Sequence, residues 1–432
     1  MAKSKIQNLN SPKGMHDILP QDQQWWDKVR KETQAIADSY NFSRIETTLL
    51  ERAEIFENSL GETSDIVEKQ MFVFKSGSGD RLVLRPEGTA SIVRSYVQHG
   101  LSHLGQPLKL FYSGLMFRKE HPQAGRYRQF NQAGFEILGG DDDPIYEAQL
   151  MLVIFKLLNR LKITNLSLHI NSIGCRVCRP NYRKKLTDYY KDLAVKLCRD
   201  CRRRLRENPL RLLDCKNSDC QEYKVNAPIM LENLCITCNK HFKKVLEYLE
   251  ELKLPYELDN YLVRGLDYYN RTVFEFFTGV TSETGEKFDF AIASGGRYDY
   301  LMEMFGVRQS SGIGGAIGIE RVVEIMKTTN VALGLRSRPK VFFIHIGEAA
   351  KKKSLVLMEE LREEGISVLE SLGRDSLGAQ LRSSSKAQAD YALILGQKEV
   401  FEESIIIRDL QNSVQETVPL RKFVSEVKKR LK

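Results

Sequence analysis

The stretch Phe117–Glu136, FRKEHPQAGRYRQFNQAGFE, carries the strongest fold signal in the chain. An apolar arm, LKLFYSGLMF, enters it from Leu108, and a second arm, QFNQAGFEIL, leaves it towards Leu138. Between the arms, KEHPQAGRYR has the proline, glycine and charge of a connection. The pattern predicts two long antiparallel strands joined by a charged loop. Same-parity positions share one face of a strand, so Arg118 and Glu120 point together, as do Gln132 and Glu136. The loop adds Arg126 and Arg128, forked donors suited to phosphate. A charged, exposed hairpin explains this less well, because strand interiors seldom gather so many fixed polar groups without a use.

Upstream of the hairpin, Asp22 to Tyr40 carries apolar or aromatic residues at 25, 26, 29, 36 and 40, a helical spacing with Asp22 as candidate N-cap. Met71–Phe74 and Arg81–Arg85 flank the turn-rich KSGSGD and predict a second hairpin. Downstream, Ile145–Leu161 returns to helical periodicity. From 171 to 254 the texture changes to cysteines, an arginine run at 202, 203, 204 and 206, and helix patterns broken by Pro180, Pro209 and Pro228. This segment is expected to be a helical, cysteine-rich insertion in a core spanning 1–326. Strand signals resume at Leu262–Arg264, Thr272–Phe277 and Phe288–Ser294, and the Gly-rich SSGIGGAIGIERVVEIM leads from strand to helix. Residues 327–339 lack periodicity and are expected to be a linker. In 340–432, strands near 340–346, 366–370, 390–395 and 402–408 alternate with helices near 349–364, 375–385 and 420–431, the pattern of an α/β domain with a mostly parallel or mixed sheet.

The composition of the 432 residues, 42% apolar and 28% charged, is that of a soluble globular protein. No apolar run approaches the roughly 18 residues of a membrane span, and the N-terminus lacks the apolar stretch of a secretory signal, so no membrane association is expected and a cytoplasmic location is. The net charge of +9 is compatible with a polyanionic partner and equally with a solvated basic surface. All eight cysteines lie between Cys175 and Cys238. Cys175/Cys178, Cys198/Cys201 and Cys235/Cys238 are C-x2-C pairs, and Cys215/Cys220 is a looser C-x4-C pair. In a long chain without a secretory signal, clustered thiols point to metal before disulfides, and one or two structural zinc sites are expected. The alternative is that some are buried small apolar residues.

Four further segments carry chemistry. In LRPEGTA, Leu84–Ala90, an acid, a glycine and a hydroxyl follow a strand and offer oxygens to a substrate ammonium. Taken alone, Glu87 and Thr89 are as readily the caps of a helix. LVRGLDYYNRTVFEF, Leu262–Phe276, joins an Arg-Gly pair and adjacent tyrosines to an apolar strand. If that region is extended, Tyr268 and Tyr269 face opposite sides and only one lines a pocket. The glycines of GGRYDYL, from Gly295, permit close approach of backbone to a ligand. Those of GIGGAIGIER, Gly312–Arg321, leave room for a flat base under Arg321, although the spacing matches neither common phosphate-binding glycine motif.

Together these segments resemble the class II aminoacyl-tRNA synthetases. Phe117-Arg118-Lys119-Glu120 looks like motif 2, and Gly318-Ile319-Glu320-Arg321 looks like motif 3. LRPEGTA, RYRQFNQAGFEILG, LVRGLDYYNRTVFE and GGRYD are similar to segments of the histidyl branch. The resemblance runs from about Pro12 to the C-terminus and weakens in the cysteine region. It departs at Thr48 in IETTLLE, where motif 1 normally has a proline. What it implies is an α+β fold, an antiparallel sheet flanked by helices, followed by a C-terminal α/β anticodon-binding domain. It implies activation of L-histidine by ATP, with Mg2+, to histidyl-adenylate and transfer to the 3′ end of tRNA(His). By resemblance, Glu87, Gly88, Thr89, Gln132, Glu136, Arg264, Tyr268, Tyr269 and Tyr298 bind histidine, and Arg118, Glu120, Arg126 and Arg321 bind ATP. Arg264 and Arg118 are the expected catalytic cations, and a homodimer built on motif 1 is the expected assembly. The competing reading is a non-catalytic, synthetase-like regulatory subunit of histidine biosynthesis. Such proteins typically lack the anticodon domain and lose motif residues, whereas Arg118, Arg264, Arg321 and an extra domain are present here. A zinc-dependent nucleic-acid-binding protein is more distant, since it leaves the hairpin unexplained.

Overall fold

The hairpin forms. Leu108–Phe117 and Gln129–Leu138 pair antiparallel without a break, from Leu108 opposite Leu138 to Phe117 opposite Gln129. The computed structural model describes residues 9–61, 64, 66–122, 125–281, 288, 290–307, 310–333 and 339–431. The chain divides into two units, Met1–Leu333 and Gly334–Lys432.

In the first unit the hairpin lies within an eight-stranded sheet of order Ser43–Arg44, Leu108–Phe117, Gln129–Leu138, Gly312–Gly318, Ala293–Arg297, Asn270–Thr278, Leu166–Ser172, Glu257–Leu258. The six inner strands are antiparallel, and the two short edge strands pair parallel. The period of two assigns the faces. Phe111, Ala133, Phe135 and Ile137 point into one core with Trp26, Leu150, Ile154, Leu157 and Val322, from the helices Gln23–Ser39, Ile145–Arg160 and Ile319–Thr328. Leu110, Tyr112 and Leu138 point the other way, into a core with Phe56, Leu60, Ile92 and Val93, from the helices Ala53–Leu60 and Thr89–Gln98. The candidate site opens on this second face.

Several expectations needed correction. Asp22 precedes the first helix, but its carboxylate makes no capping hydrogen bond and pairs with Lys327 on the neighbouring helix instead. Leu262–Arg264 is not a strand. Leu262 and Leu266 are buried singly in the second core, the Leu262 carbonyl accepts from Asn171 Nδ2 at 2.9 Å, and ladder pairing starts only at Asn270. The strand expected over Phe288–Ser294 is Ala293–Arg297, with Phe288 and Phe290 packed edge to face 5.5 Å apart. Asp289 of that stretch and Gln123 and Ala124 of the hairpin loop lie outside the described residues. The expected linker begins inside a helix, since Ile319–Thr328 includes Lys327 and Thr328, and 334–338 lie outside the described residues. In the cysteine-rich segment, the helix Ile236–Glu251 sends Phe242, Val245 and Leu249 into the main core.

The second unit has a five-stranded sheet of order Val368–Glu370, Val341–His345, Tyr391–Leu395, Ser404–Asp409, Gln415–Pro419. Its first three strands are parallel and its last two antiparallel. The helices Glu348–Glu363, Leu377–Lys386 and Leu420–Leu431 lie close to their expected positions. The edge strand Gln415–Pro419 was not expected, because only Val418 of its five residues is buried and no alternation shows. No described helix is long and apolar enough to cross a membrane.

Candidate active site

A cavity opens where the hairpin, the Gly312–Gly318 strand and the segment before Asn270 converge. Glu87, Thr89, Gln132, Tyr268 and Tyr269 line it together with Arg118, Glu120, Arg126, Arg264, Ser294 and Arg321. Ten of the residues expected at a substrate site therefore share one space.

The capping reading of LRPEGTA holds for Glu87 and not for Thr89, whose hydroxyl donates to Glu136 instead, and both residues also line the cavity. The Glu87 carboxylate accepts the backbone N–H groups of Thr89 at 2.7 Å and Ala90 at 2.8 Å, which opens the helix Thr89–Gln98. It also faces the cavity and accepts from the Tyr268 hydroxyl at 3.4 Å. Burial raises its pKa, and those backbone N–H groups counter only part of the rise. Tyr268 and Tyr269 both line the cavity, contrary to strand alternation, because Asp267 and Tyr268 form a turn.

Glu136, Tyr298 and Gly88 do not line the cavity. Gln132 and Glu136 share a face, but Tyr112 comes between them. Tyr112 lies opposite Gly134, where a Cβ would meet the Tyr112 ring at 2.4 Å. Glu136 is thus sealed beneath, accepting from Thr89 Oγ1 at 2.8 Å and from the Tyr298 hydroxyl. Its carboxylate occupies the space in front of Gly314, where a Cβ would fall 1.6 Å from Glu136 Oε2. Burial pushes its pKa up to about 8, against the pull of the Tyr298 and Thr89 hydrogen bonds. The shift favours the protonated acid in the folded chain.

Arg118, Arg126 and Arg321 bring three guanidinium groups to the cavity. Arg118 donates from Nε to the Pro86 carbonyl at 2.9 Å, lies 5.2 Å from the centre of the Phe130 ring and keeps Glu120 at 3.8 Å. Arg321 donates to the carbonyls of Gly125 at 2.8 Å and Ala291 at 2.5 Å. Burial lowers the Arg321 pKa to about 10, and repulsion from Arg126 and Arg118 adds to the fall. Three guanidinium groups gathered in one cavity suit a polyanion. Arg128 does not line the cavity, and its Nε donates to the Glu120 carbonyl at 3.2 Å.

Arg264 also lines the cavity. It is ion-paired with Glu275, donates to Ser294 Oγ at 2.9 Å and lies 5.5 Å from the Tyr269 ring centre. Burial opposes its charge, but Glu275, with Tyr269 and Tyr268, outweighs burial and raises its pKa. Its Nε has no partner among the described residues.

Reading the sequence missed Tyr112, Tyr127, Phe130, Ser294 and Glu320. Glu320 accepts the Asn131 backbone N–H at 2.8 Å and ties the hairpin to the strand-to-helix turn beside Arg321. Tyr112 alone had a usable signal, being the aromatic that faces Gly134 once the hairpin is put in register. The eight cysteines lie apart from the cavity in two groups, Cys175, Cys178, Cys235 and Cys238, and Cys198, Cys201, Cys215 and Cys220.

A family model described as histidyl-tRNA synthetase matches residues 14–322, about seven-tenths of the chain. The chain belongs to the histidyl-tRNA synthetase family. A second model, described as an anticodon binding domain, matches 340–430. Among curated histidyl-tRNA synthetase relatives, the histidine–tRNA ligase of Dehalococcoides mccartyi strain CBDB1 is 42% identical over 421 residues, covering 98% of this chain and 99% of the relative. That of Syntrophotalea carbinolica is 43% identical over 413 residues, 96% of each chain. The crystal structure of apo S. aureus histidyl-tRNA synthetase superposes with a TM-score of 0.78 at 28% identity, covering 97% of this chain and 99% of that one. A Bacillus halodurans structure described as ATP phosphoribosyltransferase regulatory subunit/histidyl-tRNA synthetase has a TM-score of 0.61 at 22% identity, covering 90% of this chain and 97% of that one, and shares the fold.

Proposed function

We propose that the chain is a histidine–tRNA ligase that activates L-histidine with ATP and transfers it to the 3′ end of tRNA(His). The observation that carries this reading is one cavity lined by acids, phenols and arginines, in a chain 42% identical over nearly its whole length to a histidine–tRNA ligase. In this reading the histidine ammonium is held by Glu87, Thr89 and Gln132. The imidazole lies against Tyr268 and Tyr269, with Glu136, Tyr298 and Gly88 forming the layer behind. ATP takes the rest of the cavity, its phosphates on Arg118 and Arg126, its base under Arg321, with Glu120 alongside.

No side-chain nucleophile is required. A histidine carboxylate oxygen attacks the α-phosphorus, and the bond to pyrophosphate breaks. The terminal ribose hydroxyl of the tRNA then attacks the carbonyl carbon, and AMP leaves. Catalysis is positioning plus charge stabilisation at phosphorus. Arg264 and Arg118 supply fixed donors to the charge that builds on the α-phosphate. Mg2+ comes with ATP and spreads the phosphate charge, and the Glu120 carboxylate is an oxygen donor of the kind that ion favours.

The second unit is proposed to read the anticodon stem-loop, with the basic helix LRKFVSEVKKRLK as part of its surface. A homodimer is supported by Leu49, Leu50, Val73 and Phe74, apolar side chains exposed on and beside the small sheet of Leu50–Arg52, Phe72–Lys75 and Arg81–Leu84. Zinc is proposed for the cysteine groups, and the cytoplasm as the compartment. The test is amino-acid-dependent pyrophosphate exchange across all twenty amino acids. Exchange with histidine alone is expected. Exchange with none, in a protein that still binds histidine, would leave the regulatory-subunit reading in its place. Truncation near Arg336 is expected to retain exchange and lose most tRNA charging; equal charging by the folded, truncated protein refutes the anticodon assignment.

A further inference from the structure

We infer that residues 175–238 form a module with two zinc ions in nested tetrathiolate sites, of which the outer one fixes a wall of the proposed histidine pocket. The outer site uses the first and last pairs, Cys175, Cys178, Cys235 and Cys238, and the inner one uses Cys198, Cys201, Cys215 and Cys220. What the pocket binds rests on the ligase reading; the metal sites do not.

In each group the four sulfurs lie within 4.8 Å of one another. A tetrahedron with Zn–S bonds of about 2.3 Å has S–S edges of about 3.8 Å. The Cys175–Cys178 separation is 3.7 Å, Cys175–Cys235 is 3.9 Å and Cys198–Cys215 is 3.9 Å. These edges are far longer than a disulfide bond, of about 2.05 Å, and right for four thiolates around one ion.

The backbone is arranged for thiolates. The N–H of Val177 donates to Cys175 Sγ at 3.4 Å, that of Cys201 to Cys198 Sγ at 3.4 Å, and that of Asn217 to Cys215 Sγ at 3.4 Å. Across pairs, the N–H of Cys235 donates to Cys178 Sγ at 3.1 Å and that of Cys198 to Cys220 Sγ at 3.3 Å. Each amide aims its dipole at sulfur where negative charge sits on a metal-bound thiolate. Two tetrathiolate zinc sites carry about −2 each. The cleft that holds Cys198 and Cys215 is lined by more cations than acids, with Arg199, Arg206 and Lys216 among them, while Arg203 there is paired with Glu68.

The module also needs the ions. Its own core has thirteen buried residues, of which five are cysteines. So small an apolar core, spread over short helices, falls in the size range where a structural metal replaces hydrophobic burial.

The outer site reaches the pocket through one residue. Cys178 opens the helix Cys178–Lys191, and Arg179 follows it. The Arg179 guanidinium donates to the carbonyl of Ile173 at 3.2 Å and to that of Tyr269. Gly174 lets the helix come this close, since a Cβ there would lie 2.9 Å from the Cys178 Cβ. Tyr269 lines the cavity. Arg179 is therefore a positioning residue, held by the outer ion and holding the tyrosine. Among the described residues the inner site has no such contact with Tyr269; its cleft is shared with Arg126, a residue of the proposed ATP site.

The experiment uses the full chain, purified without chelators, with metal analysis and histidine-dependent pyrophosphate exchange on each variant. Wild type is expected to carry two zinc ions per chain and be colourless. Cys178→Ser with Cys238→Ser loses one ion and raises KM for histidine about tenfold with a smaller change in kcat, and Arg179→Gln keeps both ions and raises KM alike, Arg179→Lys recovering part of it. Cys201→Ser with Cys220→Ser loses one ion and leaves KM within about twofold. One ion or none in wild type, iron absorption in the visible, or an outer double variant that keeps both ions overturns the sites. An Arg179→Gln protein with unchanged KM overturns the link to the pocket. Two ions in a wild type that exchanges with no amino acid counts against the ligase reading alone.

Discussion

In the sheet, the polar groups behind the cavity find their partners within the chain. Arg297 is fully buried and donates to both oxygens of an equally buried Glu147, from Nε at 2.6 Å and from Nη2 at 2.5 Å. His241 meets the same carboxylate at 2.6 Å, and Asp299 meets Arg297 at 3.2 Å. In the cysteine-rich module, by contrast, the thiols point at one another and none is oxidised. Among the described residues the cluster of Arg297, Glu147 and His241 is complete with protons and side chains alone. The module closes on something it must take from solution. Proton concentration is therefore the natural way to stress the first, and chelation the second.

The largest effect is expected where the internal pairing is most complete. Arg297→Met leaves the Glu147 carboxylate buried without its main partner, at a cost of about 3–5 kcal/mol. Burial alone would raise the Glu147 pKa, but Arg297 and His241 outweigh it and hold it at about 2, against 4.5 unperturbed. A depressed carboxylate pKa stabilises the fold above the unfolded value and loses that contribution as pH falls through the folded one. The gap between wild type and variant in urea unfolding should therefore be full at pH 7 and close between about pH 4.5 and 2. A gap that stays constant over that range would show that the pair is not what stabilises the sheet.

Next in size is Arg264, which belongs to both the structural pairing and the proposed chemistry. Arg264→Ala is expected to slow pyrophosphate exchange by about two orders of magnitude or more, the scale of one preorganised donor. Transfer from preformed adenylate should suffer much less. Because Arg264 is also paired with Glu275, Glu275→Gln separates the roles. If the arginine acts on the phosphate, Glu275→Gln costs far less than Arg264→Ala. Equal losses in the two variants would make the ion pair itself the functional unit.

The contrast between regions also marks what a sequence can disclose. Alternation made the hairpin legible, and once its arms are paired, Gln132, Gly134 and Glu136 fall on one face. What alternation cannot convey is depth, and Glu136 lies under Tyr112 although it has the parity of Gln132. Tyr268 and Tyr269 escaped the period-two rule because a turn, set by packing of Leu266 and the contact of the Asp267 N–H with the Leu60 carbonyl at 3.4 Å, replaces the strand there. Arg297 went unremarked in GGRYDYL because its partner lies 150 residues away on another element. The cysteine spacing showed four pairs without showing that first joins last. That pairing depends on helix packing, of which C-x2-C carries no trace.

The smallest expected effect tests the layer beneath the pocket. Glu136 has a pKa of about 8, raised by burial and, in lesser part, by the neighbouring Glu87 carboxylate. An acid whose folded pKa lies above its unfolded value keeps a proton that the unfolded chain releases. Rising pH then favours the unfolded chain, from the unfolded pKa near 4.5 up to the folded value near 8. Glutamine has nearly the same shape, donates from one atom as the protonated acid does, and never ionises. Its oxygen can accept from the Thr89 hydroxyl while its amide donates to the Tyr298 oxygen, reversing the hydrogen bond that Tyr298 now donates to Glu136. Glu136→Gln should match the wild-type melting temperature near pH 5 and exceed it by a margin that grows towards pH 8. The histidine KM at pH 7 should change little, since the raised pKa favours the neutral form of the acid it replaces. Melting curves that run parallel across this range would mean that Glu136 is ionised in the fold, and that the proposed histidine pocket is backed by a charge.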